Sequence, residues 1–271
     1  MNFTRLTSCS AIILSTALLT GCASSQLTSG GDNSVTASNK LGMTRSGFLS
    51  DYARLKATKW GEGIECWKEA NLNARNYNKI LISRIVVSIA PPKSQDGSKE
   101  INPTIDPSDL KMLTDYFHDD LVKSLKPIMT VVDKPGPGVA VLRVALTDLV
   151  PTTVAESVAG TLIPYAFVVE ASSGAATGRP AGSTPYLGQT AMELQFRDGA
   201  TGAVLAECRD AEIGRKYAAD MNSGVMGAAQ TWANGYLNSF QSWSYAKDAF
   251  DKWSALIALR ITQLRSDKPN P

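Results

Sequence analysis

Residues 190–213, TAMELQFRDGATGAVLAECRDAEI, decide how this chain folds. Met192, Leu194 and Phe196 alternate with Glu193, Gln195 and Arg197, the two-residue period of a strand with one apolar and one polar face. Asp198-Gly199-Ala200-Thr201-Gly202 then turns the chain, because an Asp carboxylate accepts nearby amide protons and glycine takes positive φ without steric cost. Residues 203–213 return as the partner strand of a hairpin. No helix start follows the turn, so it reads as a hairpin rather than a phosphate cradle.

Outward from the hairpin, residues 79–90 (KILISRIVVSIA) read as a buried strand stopped by Pro91 and Pro92, which cannot donate to a ladder. After a loop, Asp106-Pro107-Ser108-Asp109 has the form of a helix start, with a capping carboxylate, a proline at the first helical position and an acid at the positive end. Leu110, Leu113, Phe117, Leu121 and Leu125 give that helix a buried face, and Pro127 closes it after Lys126. Residues 128–132 suggest a short strand, and the turn 135–138 (PGPG) feeds a β-rich run over 139–150. Residues 243–265 read as a last helix with Ala246, Phe250, Trp253, Ile257, Ile261 and Leu264 along one stripe. This order predicts an α+β fold: a mainly antiparallel sheet with two covering helices.

The N-terminal segment supplies an address. Arg5, an apolar run over 11–19 and Leu19-Thr20-Gly21-Cys22 have the pattern of a bacterial lipoprotein signal, too short to span a bilayer. The expected organisation is a signal peptide over 1–21, a lipidated flexible tether over 22–45 and a single periplasmic α+β domain over 46–271. In such lipoproteins the Cys22 thiol carries a diacylglycerol and its amine a fatty acyl chain such as palmitate, and several chains anchor far more firmly than one. Residues 23–40 are too polar to build a core and suit a tether. Ala23 and Ser24 follow the cysteine with no retention-type Asp, so the expected location is the periplasmic face of the outer membrane.

Composition narrows the partners. The chain has 27 Lys plus Arg and 25 Asp plus Glu, and losing Arg5 with the signal leaves it near neutrality. No basic cluster stands out, so a nucleic-acid partner is not expected. Cys9 leaves with the signal and Cys22 takes the lipid. Cys66 and Cys208 then meet an oxidising compartment, either joined as a disulfide or buried separately. Their spacing matches no zinc or redox motif.

The chain has one histidine, His118, and the helical period puts it on the polar side of its helix with Lys111 and Asp115. A catalytic triad is therefore not expected. Asp115, Asp119 and Asp120 lack a recognised metal-ligand spacing, and Asp115 and Asp119 stand four residues from Lys111 and Lys123, as helix-surface pairs do. Neither metal nor cofactor is expected. Phe48, Leu49 and Tyr52 read as anchors docking the first ordered segment onto the body, or as a partner-facing patch. Residues 158–169 are apolar but interrupted by Pro164, and read equally as a core strand or as a contact surface presenting Leu162 and Phe167.

Gly47-Phe48-Leu49-Ser50-Asp51-Tyr52 after the tether, the turn 198–202 and Phe250-Asp251-Lys252-Trp253 in the last helix together resemble the bacterial lipoproteins grouped as domain of unknown function 3313, over roughly residues 46–265. The resemblance implies an envelope lipoprotein and carries over no catalytic residue. The chain departs from the usual pattern over 154–188 and in the Gly-rich stretch 222–235. The leading expectation is a non-enzymatic outer-membrane lipoprotein that contacts another envelope component or helps maintain the envelope. A small-molecule or lipid-binding module is the alternative, which a large apolar pocket would favour. A hydrolase with an unrecognised site is the third, and it requires perturbed carboxylates converging in a cleft.

Overall fold

The computed structural model describes residues 35–37, 45–59, 61, 63–88, 105–150, 188–214 and 242–266. Cys22, the signal segment, most of the expected tether, Leu162 and Phe167 lie outside these residues. In chain order the strands are β1 (Val35–Ala37), β2 (Lys56–Ala57), β3 (Glu65–Lys68), β4 (Lys79–Ile82), β5 (Val86–Val87), β6 (Thr130–Val131), β7 (Val139–Val150), β8 (Gln189–Asp198) and β9 (Val204–Gly214). Helix α1 (Pro107–Leu125) lies between β5 and β6, and α2 (Ser244–Ser266) follows β9.

All nine strands join one sheet in the order β2-β3-β9-β8-β7-β4-β6, with β1 also on β9 and β5 also on β7. The fold is α+β, but the expectation of a mainly antiparallel sheet is corrected: the sheet is mixed. β1, β2, β3, β8 and β9 pair antiparallel, whereas β4 pairs parallel with β6 and β7, and β5 parallel with β7. The physical reason is α1. A helix placed between two strands of one sheet carries the chain back to the starting end, so the next strand enters parallel to the last.

The strand expected over 79–90 is two short strands. β4 follows β7 from Lys79↔Val139 to Ile82↔Leu142, and β5 rejoins it at Val86↔Ala145. Between them Ile85 turns into the core at 5% exposure, which leaves Val86 facing outward at 46%. Within the span expected as a tether, Val35–Ala37 pairs antiparallel with β9 from Val35↔Gly214 to Ala37↔Glu212.

Helix α1 starts as its sequence dictates. Asp106 accepts from the Ser108 amide at 2.7 Å, and Pro107 occupies the first turn. Leu113, Phe117, Leu121 and Leu125 are fully buried. On α2, Phe250 stacks on Phe117 with centroids 4.5 Å apart, and Trp253 lies 5.9 Å from Phe117. These rings close on Leu142, Val144, Leu146, Met192 and Leu194, which makes one core between the helices and one face of the sheet.

The hairpin β8–β9 forms with its expected turn. Asp198 Oδ1 accepts from the Ala200 and Thr201 amides at 2.9 and 2.7 Å, and Gly202 adopts φ +75°. Gly199 is required for a different reason: a Cβ there would stand 2.7 Å from the Val139 carbonyl oxygen. Tyr77 donates its hydroxyl to Asp198 Oδ2 at 2.8 Å, and burial followed by that carboxylate pushes its pKa up to about 12.

Candidate functional site

The two faces of the sheet have different chemistry. Cys66 pairs with Cys208 across β3 and β9, and this puts their disulfide on the helix-facing side. Burial along α2 falls toward its C-terminal end. The stripe residues Ala246, Phe250, Trp253 and Ile257 are buried, but Ile261 and Leu264 are only partly so. They line a cleft of about 580 Å³ between the end of α2, residues of β2, β3, β9, β8 and β7, and the segment 72–77.

The cleft floor and walls are apolar. Leu194 and Phe196 of β8, Leu205 and Ala206 of β9, the disulfide and Ile257 form one side, and Trp67, Leu72 and Tyr77 form the other. The charged residues in its lining are Lys56, Lys59, Lys68 and Arg260, with no carboxylate. The three lysines are exposed. The far end of α2 is held by Arg75, whose guanidinium donates to the Arg265 and Ser266 carbonyls at 2.8 and 3.1 Å. A cation at a helix C-terminus satisfies orphan carbonyls and complements the dipole, so this contact fixes one wall of the cleft. Arg265 in turn donates to the Ile128 carbonyl at 2.6 Å.

The opposite face is polar and covered. Glu193 and Gln195, expected on a polar and hence watered face, are buried at 1% and 0% exposure. The cover is the segment 46–54. Ser46 and Tyr52 donate to Glu193 at 2.5 and 2.8 Å. The Ser50 amide donates to Glu207 at 2.7 Å, and the Arg54 guanidinium pairs with Glu207 at 2.6 Å. Phe48 lies under the Arg143 guanidinium, 4.8 Å from its ring centre, and Leu49 is 5% exposed. Phe48, Leu49 and Tyr52 therefore dock the entering chain onto the body. Glu207 is held below the usual Glu range because the Ser50 amide, Arg54 and Gln195 donations outweigh the opposing effect of its burial.

A third polar group sits beneath α2. Trp253 Nε1 donates to Asp210 Oδ2 at 2.8 Å, and Lys252 pairs with Glu212. Burial first, then the neighbouring Glu212 charge, push the Asp210 carboxyl well above the usual Asp range. Paired buried carboxylates are the feature a hydrolase site requires, but here they are enclosed by α2 and do not line the cleft.

His118 stands on α1 with its side chain 40% exposed and its Nδ1 3.7 Å from Asp119. Asp115 pairs with Lys111, and Lys123 pairs with Asp120 at 3.9 Å rather than with Asp119. Among the described residues no group of three or more His, Cys, Asp and Glu side chains converges as metal ligands. Of the site residues expected from the sequence, Cys66 and Cys208 line the cleft, beside Leu194 and Phe196 of the alternating strand and Ile257, Ile261 and Leu264 of the last helical stripe. The lysines that rim it gave no signal in the sequence, because Glu62, Glu65 and Glu69 interleave with them and cancel the local charge.

The family described as "Protein of unknown function (DUF3313)" matches residues 44–236, most of the chain. The chain belongs to this family. The match takes in the segment 46–54, the hairpin and its turn, and the cleft-lining strands, and it ends before α2. No curated protein matches significantly. Among solved structures, the PelC dodecamer from Paraburkholderia phytofirmans is similar at 11% identity and TM-score 0.31, over 66% of this chain and 96% of that one. A PDZ domain protein from Parabacteroides distasonis is similar at 12% identity and TM-score 0.29, over 68% of this chain and 36% of that one. Neither likeness bears on what this chain does.

Proposed function

We propose that this protein is an outer-membrane-anchored periplasmic lipoprotein, held by acylated Cys22, whose domain serves the envelope as a non-enzymatic binding module for an apolar ligand. The observation that carries the binding role is the cleft beside α2. Its volume of about 580 Å³ lies inside the range of roughly 300–1,000 Å³ usual for small-molecule sites, and its walls are aliphatic and aromatic with few polar groups. This favours the binding-module alternative over a protein-contact role for the domain. The anchor reading is supported by the Leu19-Thr20-Gly21-Cys22 pattern.

Titration of the full chain with Nile red, a neutral apolar dye, tests the cleft. Saturable binding at one site is expected, and Ile261→Trp, which places a bulky ring from α2 into the cleft, is expected to abolish it with little change in melting temperature. Absence of dye binding, or binding indifferent to Ile261→Trp, would reject the module. Mass spectrometry of the mature N-terminus tests the anchor: an acylated peptide beginning at Cys22 is expected, and an unmodified peptide beginning elsewhere would reject it.

A further inference from the structure

We infer that the ligand of this cleft is a single-chain anionic amphiphile, a fatty carboxylate whose tail lies on the disulfide side and whose head meets Lys56, Lys59 and Lys68. The inference rests on the binding-module reading and adds the ligand's chemical class.

An apolar cleft alone does not distinguish an uncharged hydrocarbon from an amphiphile. This lining carries no carboxylate, and its exposed cations come from β2, from β3 and from the turn after β2. Among the described residues, no ion pair engages Lys56, Lys59 or Lys68. Lys79, Arg84, Lys126 and Lys134 likewise enter no ion pair among the described residues, so what sets Lys56, Lys59 and Lys68 apart is their place in the lining of an apolar cleft. Unmatched cations beside an apolar surface favour a molecule that brings an anion next to a hydrocarbon chain. A lysine stem also lies along apolar surface while its ammonium stays in water, so a rim lysine contacts both parts of such a molecule. The volume suits one chain rather than the two of a membrane phospholipid.

The test is displacement of cis-parinaric acid, a fluorescent fatty carboxylate, from the full chain carrying Cys22→Ala, so that no attached acyl chain competes. Palmitate is expected to displace the probe. Hexadecanol, with the same tail and no charge, is expected to bind about tenfold more weakly, a factor worth about 1.4 kcal/mol and within reach of two exposed ion pairs. Myristate, shorter by two methylenes, is expected to bind about fifteen-fold more weakly than palmitate at about 0.8 kcal/mol per methylene. The double variant Lys56→Glu/Lys68→Glu changes only exposed side chains. It is expected to remove the preference for palmitate over hexadecanol, with a larger loss for palmitate than for hexadecanol and little change in melting temperature.

Equal affinity for palmitate and hexadecanol, unaltered by the charge reversal, would overturn the anionic assignment and leave the cleft reading standing. Failure of palmitate, hexadecanol and Nile red alike would overturn the cleft reading itself. Adsorption to phosphatidylglycerol vesicles without displacement of the probe by palmitate would overturn the single-chain occupant in favour of a membrane surface.

Discussion

Arg54→Ala should weaken the hold of the segment 46–54 on the sheet, and the cost follows from an asymmetry in exposure. Glu207 has a fully buried side chain, whereas that of Arg54 is 25% exposed. Removing the arginine leaves a buried carboxylate held by Ser50, whose amide donates at 2.7 Å, and by Gln195 at 2.5 Å. Breaking a fully buried ion pair from one side costs roughly 3–5 kcal/mol. The remaining donors and the partial exposure of Arg54 reduce this to about 2 kcal/mol, including lost stacking of the guanidinium 3.4 Å above Trp67. Glu207→Gln should cost less, about 1 kcal/mol, because the stranded Arg54 reaches water.

Urea unfolding at neutral pH and at about pH 3 measures both variants. Glu207 has a lowered folded-state pKa, so its stabilisation is present above the ordinary Glu value of about 4.3 and is lost as pH falls through the folded value. The penalty of Arg54→Ala should therefore shrink in acid. An equal penalty at both pH values, or a larger penalty for Glu207→Gln than for Arg54→Ala at neutral pH, would refute the reasoning.

Three further outcomes are expected. Asp210→Asn should raise stability at neutral pH: the folded state raises the Asp210 pKa, so the wild type loses stability as pH rises above about 3.9, and thermal melts across pH should show the gain vanish in acid. Leu121→Ala, at a side chain with 0% exposure, should cost about 2–5 kcal/mol in chemical denaturation. His118→Ala should shift the unfolding midpoint within about 0.5 kcal/mol and leave dye binding intact, since the ring is part-exposed on α1 and distant from the cleft lining.

Local signals in this sequence were legible where the chemistry is local. The Asp106 cap, the leucine stripe of α1, the 198–202 turn and the period of β8 each depend on residues a few positions apart, and each appears in place. Long-range arrangement was not legible. Parallel entry of β7 beside β4 depends on the crossover through α1, which the order strand-helix-strand permitted but composition did not emphasise. β3 was missed because ECWK is four residues long, lacks alternation and acquires strand form from pairing with β9.

The site was harder still. Glu193 and Gln195 looked solvent-facing because their polarity said nothing of the segment 46–54, nearly 150 residues earlier, that covers them. Ile261 and Leu264 continued an apolar stripe that periodicity assigns to the core, whereas in the fold they are partly buried and line the cleft.

Photolabelling tests the central claim most directly. A neutral alkyl diazirine irradiated with the full chain, followed by peptide mapping, reports where an apolar molecule resides. The account predicts adducts on Phe196, Leu205, Ile261 and Leu264 in the cleft lining, suppressed by Ile261→Trp for the remaining positions. Labelling centred instead on Val86 and Met112, the exposed large hydrophobics among the described residues, would contradict it.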